Sequence, residues 1–143
     1  MSDYSAMTDA QINRLVAERL GYTVRKGDTY PNPWPPKGRV VRYWHVTIPG
    51  FEGEQTYSIA VDVDPWDWLF DESICKQWAT DNNAAAALDF GGHTVQIDLY
   101  PNSATAKVLR KDGGIMIYEV AANMARAISI AWLAFMDAVE AGT

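Results

Sequence analysis

From residue 94 to residue 99 the chain alternates strictly between polar and apolar side chains. Thr94, Gln96 and Asp98 fall on one face of a strand, and Val95, Ile97 and Leu99 on the other. Pro101-Asn102-Ser103 turns the chain into a second strand, Ala104 to Arg110, and Lys111-Asp112-Gly113-Gly114 turns it into a third, Ile115 to Val120. Turns this short predict antiparallel neighbours. From about Ala122 to Glu140 the period becomes helical. Ala125, Ile128, Trp132, Phe135, Met136 and Val139 form a broad stripe, while Ile130, Leu133 and Ala134 add apolar surface on other sides. A helix apolar nearly all round lies between layers or at a subunit interface.

At the other end, Ile12, Leu15, Val16 and Leu20 follow helical spacing and predict a helix from Thr8 to Leu20. Thr8 and Gln11 stand at capping-box spacing, and Gly21 sits where a left-handed C-cap is wanted. Tyr22 to Val24 start a short strand. Residues 25–38 read as a stiff proline-rich loop, because Pro31, Pro33, Pro35 and Pro36 remove donors and fix the backbone. Arg39 to Ile48 and Thr56 to Val63 predict two antiparallel strands, with Pro49-Gly50 stopping the first. Next comes a helix capped either by Asp64, with Pro65 at its first position, or by Asp71, in which case it reaches about Ala84.

Two antiparallel groups of strands, each followed by a helix, predict an α+β fold. The expectation is one mostly antiparallel sheet sandwiched by helices, an α/β/α sandwich forming a single domain over residues 1–143.

Composition narrows what such a domain does. With 48% hydrophobic and 12% aromatic residues the chain can bury a full core. The C-terminal apolar helix is interrupted by Arg126 and Asp137, so no membrane span is expected. The opening MSDYSAMTDAQ has acids where a signal peptide has basic residues, and Cys75 stands alone. Both point to a cytoplasmic location, in a bacterial host if the resemblance described below holds. A net charge of −6 argues against general nucleic-acid binding, which requires a basic surface.

Two segments resemble a known family. MTDAQINRLVAERLGY follows the pattern M-T-x-x-x-I-x-x-x-[VIL]-A-E-x-[LM]-G-[WY] that opens small proteins of the phage ABA sandwich family. HTVQIDLYPNSATAKVLRKDGGIMIYEVAANMARAISIAWLAFMDAV is similar to that family's strand–strand–strand–helix close, with Ala127-Ile128 at its A-I element. The two segments cover less than half of the chain, and the proline-rich loop and the hairpin from Arg39 to Val63 have no counterpart. The resemblance implies an α/β/α sandwich of phage or prophage origin. It implies no activity and carries over no functional residues.

The candidate chemistry lies in the middle of the chain. Arg25, Lys26, Lys37, Arg39 and Arg42 make residues 24–42 basic, whereas residues 43–75 hold seven acids and no Lys or Arg. Tyr30, Trp34, Trp66 and Trp68 fall in or beside loops, where aromatic rings can stack on a nucleobase. Together with Arg39 and Arg42, whose forked donors suit phosphates, they make a candidate ligand site. The competing reading puts the aromatics in the core or a satellite cluster and pairs the two charged stretches across a solvated surface. Asp62 and Asp64 could hold a divalent ion, but acids also cap helix starts, and Trp66 stands where an EF-hand needs oxygen. His45 and His93 lack Cys or His partners at zinc spacing, and Cys75 falls in a predicted helix. No catalytic residue, metal ligand or cofactor is assigned.

Three functions follow as expectations. The first is a non-enzymatic phage accessory protein that sequesters a small nucleotide immune signal, with a homodimer formed through the C-terminal helix. The second is an acidic inhibitor docking on a basic host-protein surface, motivated by the acids from Glu52 to Glu72. The third is a metal-dependent phosphoesterase built on Asp62 and Asp64.

Overall fold

The first regular helix, α1 (Asp9–Arg19), begins at the capping box that the sequence spells out. The Thr8 amide donates to Gln11 Oε1 at 2.9 Å and the Gln11 amide to Thr8 Oγ1 at 3.2 Å. Its far end closes with Gly21 at φ 93°, and the amides of Gly21 and Tyr22 donate to the carbonyls of Glu18 and Ala17. A non-glycine residue would pay about 1–2 kcal/mol for that left-handed turn. The structure, a computed structural model, describes residues 3–31, 40–49, 66 and 76–142, and the backbone of 55–60. A single 3-10 turn, Tyr4–Ala6, precedes α1.

The class is α+β with antiparallel strands. Among the described residues the strands divide between two three-stranded sheets instead of forming one. The first holds β1 (Thr23–Pro31), β2 (Val40–Thr47) and β3 (Gln55–Ala60), and the second β4 (Val95–Tyr100), β5 (Ser103–Leu109) and β6 (Ile115–Ala121), each in chain order. Local hairpins account for this, since strands joined by short connections pair first with each other. Two further helices are described: α2 (Asn82–Ala86) and α3 (Met124–Glu140).

Two expectations are corrected. Residues 25–31 belong to β1, not to a loop: the run up to Tyr30 holds no proline, and Pro31 ends the strand. The register slips between Lys26 and Thr29, so a bulge falls at Gly27-Asp28. A Cβ at Gly27 would collide with the Tyr43 carbonyl and the His45 ring, so glycine is required there. The helix ending near Ala84 does not run in from Asp71. Lys76–Thr80 is non-helical, and Asp81 caps α2 afresh through the amides of Asn83 at 2.9 Å and Ala84 at 3.3 Å. The alternative start at Asp64 lies outside the described residues, where only Trp66 is seen, in helical backbone.

The chain clusters into two compact units, residues 1–16 with 76–143, and residues 17–75. In the first unit α3 packs on β5 and β6, and α2 on α3. Ala104, Ala106 and Val108 of β5 meet that helix side, and Ile12, Val16, Trp78, Ile128, Ile130 and Leu133 complete the buried core. The all-round apolar character of α3 is satisfied within one chain over its first half, where from Ala125 to Leu133 every position except Arg126 is buried, while Val139 near its end stays exposed. One peptide group ties the helices together. The Ala79 N–H donates to Asn13 Oδ1 of α1 at 2.7 Å, and Ser129 Oγ of α3 donates to the Trp78 carbonyl, on the same peptide, at 2.8 Å. Among the described residues no helix is long and apolar enough to cross a membrane.

Candidate functional site

Of the six residues assigned to a ligand site, Trp34, Arg39 and Trp68 lie outside the described residues, as do Asp62, Asp64 and Cys75. Tyr30 is 49% exposed near the end of β1, with Tyr43 edge-on to it at 5.1 Å. Arg42 donates through Nη1 to the Gly27 carbonyl at 2.8 Å and so braces the bulge. Tyr30 pairs with Val41 and Thr29 with Arg42, so Tyr30 and Arg42 project from opposite faces of the sheet. A ring stacked on Tyr30 therefore lies across the sheet from Arg42. Trp66 is half-buried. Among the described residues no group of three His, Cys, Asp or Glu is placed to hold a metal ion.

A more developed feature lies in the first unit, along β6. Two adjoining hollows of about 670 and 510 Å³ share Met116, Ile117 and Ala138 and form one groove between β6 and the C-terminal half of α3. Four consecutive β6 residues, Met116 to Glu119, line the larger hollow. Neighbouring strand residues point to opposite faces. A wall built from consecutive ones must therefore include the edge of the strand. That edge is free of strand partners among the described residues, because β6 pairs only with β5.

The register places Met116 in the groove. Val108 pairs with Ile117 and Leu109 with Ile115, so Met116 is the extra residue of a bulge. Its flexible thioether gives the wall an adaptable apolar surface.

The ends of the groove carry opposite charge. Asp3, Glu119 and Asp137 line one end, where Tyr4, itself buried, donates its hydroxyl to Asp137. Glu119 shares the helix-facing side of the sheet with Ile117, being paired with Ala106. Burial, and then the nearby Asp3 carboxylate, push its carboxyl above the ordinary glutamate range. At the other end stand His93 and Arg110. His93 Nδ1 lies 3.1 Å from the Leu109 carbonyl, which can only accept, so that nitrogen carries the proton and Nε2 is left as the second ring site. Phe135 holds the ring edge-on at 5.4 Å.

Sequence reading did not assemble this groove, since Asp3, Glu119 and Asp137 are far apart along the chain. One signal was present: Glu119 is the charged residue in the apolar run Ile115 to Val120. No family model, curated protein or solved structure matches the chain.

Proposed function

We propose that the chain is a docking protein whose groove along β6 takes an extended polypeptide segment bearing a Lys or Arg. The observation that supports it most is the coincidence of an unpaired strand edge, an apolar wall and an acidic end in one groove. Backbone pairing along the edge supplies affinity, and the pocket chemistry selects side chains. A cation beside Glu119 offsets the burial, and then the Asp3 repulsion, that raise its carboxyl. In the phage setting that the resemblance implies, the partner is a host protein with a basic surface. Of the three expectations, this is the acidic inhibitor, moved from the middle of the chain to β6.

Selection of a displayed random heptapeptide library on the immobilised chain tests this. A chain carrying Glu119→Gln and Asp137→Asn serves for counter-selection. The expected result is enrichment of segments with alternating apolar positions next to a Lys or Arg. Segments without a cation, or segments held equally by the double variant, would refute the reading.

A second reading keeps the nucleotide sponge, supported by the half-exposed Tyr30 ring braced by Tyr43. Calorimetric titration with cyclic and ADP-ribose-type nucleotides tests it. Heat that disappears in Tyr30→Ala supports stacking there, and the absence of heat counts against it.

A further inference from the structure

We infer that the groove along β6 is one half of a two-fold dimer, in which β6 of one copy pairs antiparallel with β6 of a second. This rests on the docking reading for its groove and names a second copy as the resting occupant of the edge, which a docked segment would have to displace.

The first support is the strand itself. β6 is the outer strand of the order β4-β5-β6, and among the described residues its far edge has no strand partner. An edge of that kind offers a row of backbone donors and acceptors to another strand. Ile115, Tyr118 and Val120, on the face of β6 turned from α3, are exposed, so an added strand would bring apolar neighbours beside them on that face.

The second is the distribution of charge along that edge. Arg110 and His93 stand beside the start of β6, and Glu119, Asp137 and Asp3 beside its end. An antiparallel two-fold brings the start of each strand to the end of the other. Each Arg110 then meets a carboxylate-lined hollow, and the same contact occurs twice. A patch that complements itself under rotation is what an isologous dimer requires. A parallel pairing would set acid against acid.

The third is register. With the axis at Ile117, the apolar middle of each strand faces its own copy. Because Met116 is the extra residue of a bulge in each copy, Tyr118 then stands across from the partner's Ile115 and Glu119 from the partner's Gly114. The Arg110 backbone is anchored at that point, since its amide donates to the Gly114 carbonyl at 2.7 Å and its carbonyl accepts from Gly113 at 2.9 Å. From Gly114 to Glu119 the strand spans roughly 17 Å, at about 3.3 Å per residue, so the two charge contacts are separate. Because Glu119 and the groove lie on the helix-bearing face, the axis runs perpendicular to the sheet. Both copies of α3 then flank one continuous six-stranded sheet.

Light scattering on the purified full chain, with size-exclusion chromatography, tests this. The expected result is twice the chain mass at high micromolar concentration. Glu119→Arg and Arg110→Glu should each shift the protein to monomer, because each sets like charges together at both contacts. Mixing the two variants should restore the dimer mass, because opposite charges then meet at both contacts. Thermal melts check that each variant is folded. Should either fail to fold, Glu119→Gln and Arg110→Gln take their place, each expected to raise the dissociation constant about tenfold. A monomeric wild type, a dimer indifferent to these substitutions, or a mixture of folded charge variants that stays monomeric would each overturn the inference. A monomer that still enriches cationic segments loses this dimer and keeps the docking reading. A charge-dependent dimer that enriches none does the reverse.

Discussion

The peptide group between Trp78 and Ala79 is expected to behave as a single stabilising unit. Its N–H is held by Asn13 and its C=O by Ser129, and Asn13, Ala79 and Ser129 are 2%, 0% and 0% exposed. Water cannot replace a partner there without rearrangement. Asn13→Ala leaves a buried N–H unpaired, at a cost of about 1–3 kcal/mol, to which the void left by the truncated side chain adds. Ser129→Ala removes only a hydroxyl donor from a carbonyl, at a cost of about 1 kcal/mol. Because both side chains hold one peptide, removing both lets it turn as a whole towards new partners. The double variant should therefore lose less than the sum of the singles, by about 0.5 kcal/mol or more. Urea denaturation followed by far-ultraviolet circular dichroism measures all four corners of the cycle. For a chain of this size each kcal/mol should also lower Tm by roughly 2–4 °C. Additivity within about 0.3 kcal/mol, or an Asn13→Ala cost below about 0.5 kcal/mol, would show that the two bonds are independent or that the site relaxes, and would refute this account.

Three other expectations follow from features described above. The folded state binds the Glu119 proton more tightly than the unfolded chain does, so its ionisation lowers stability as pH rises through and above the ordinary glutamate value of 4.5. Measured at protein concentrations low enough to keep the chain monomeric, Glu119→Gln should therefore raise Tm at pH 7 and flatten that slope; an unchanged pH profile would count against it. Arg126 holds the N-terminal segment through Asp9 at 2.7 Å, the Ser5 carbonyl at 3.2 Å and the Met7 carbonyl. Arg126→Leu should cost about 2 kcal/mol and speed amide exchange in residues 3–9, which hydrogen-exchange mass spectrometry would read. Gly27→Ala should destabilise by about 1–3 kcal/mol through overpacking, and a thermal melt of the variant measures it.

Much of the fold was legible wherever a local rule governs the chain. The capping box at Thr8 and Gln11, the C-cap at Gly21 and the two hairpin turns around β5 all concern residues near in sequence. Asp81 was missed as a cap because acids at Asp64 and Asp71 offered equally good local signals. The extent of β1 was hidden by the prolines that follow it and by polar residues such as Lys26 and Asp28. Its pairing with β2 across a bulge is a tertiary fact. The groove was illegible for the same reason. Tyr4 meets Asp137 across 133 positions of chain, and no periodicity announces such a contact. Glu119 alone left a trace, as a charge on an otherwise apolar strand face.

The division of the chain into 1–16 with 76–143, and 17–75 between them, bears on how the protein is made. On a ribosome the middle unit emerges complete while the flanking one still lacks its second half. The front of α1, with the buried Ile12 and Val16, belongs to the unit that residues 76–143 complete, and must wait for them. Vectorial synthesis thus gives the β1–β2–β3 unit a head start over the β6 groove. A chain stalled before Met124 would lack α3 and with it one wall of the groove.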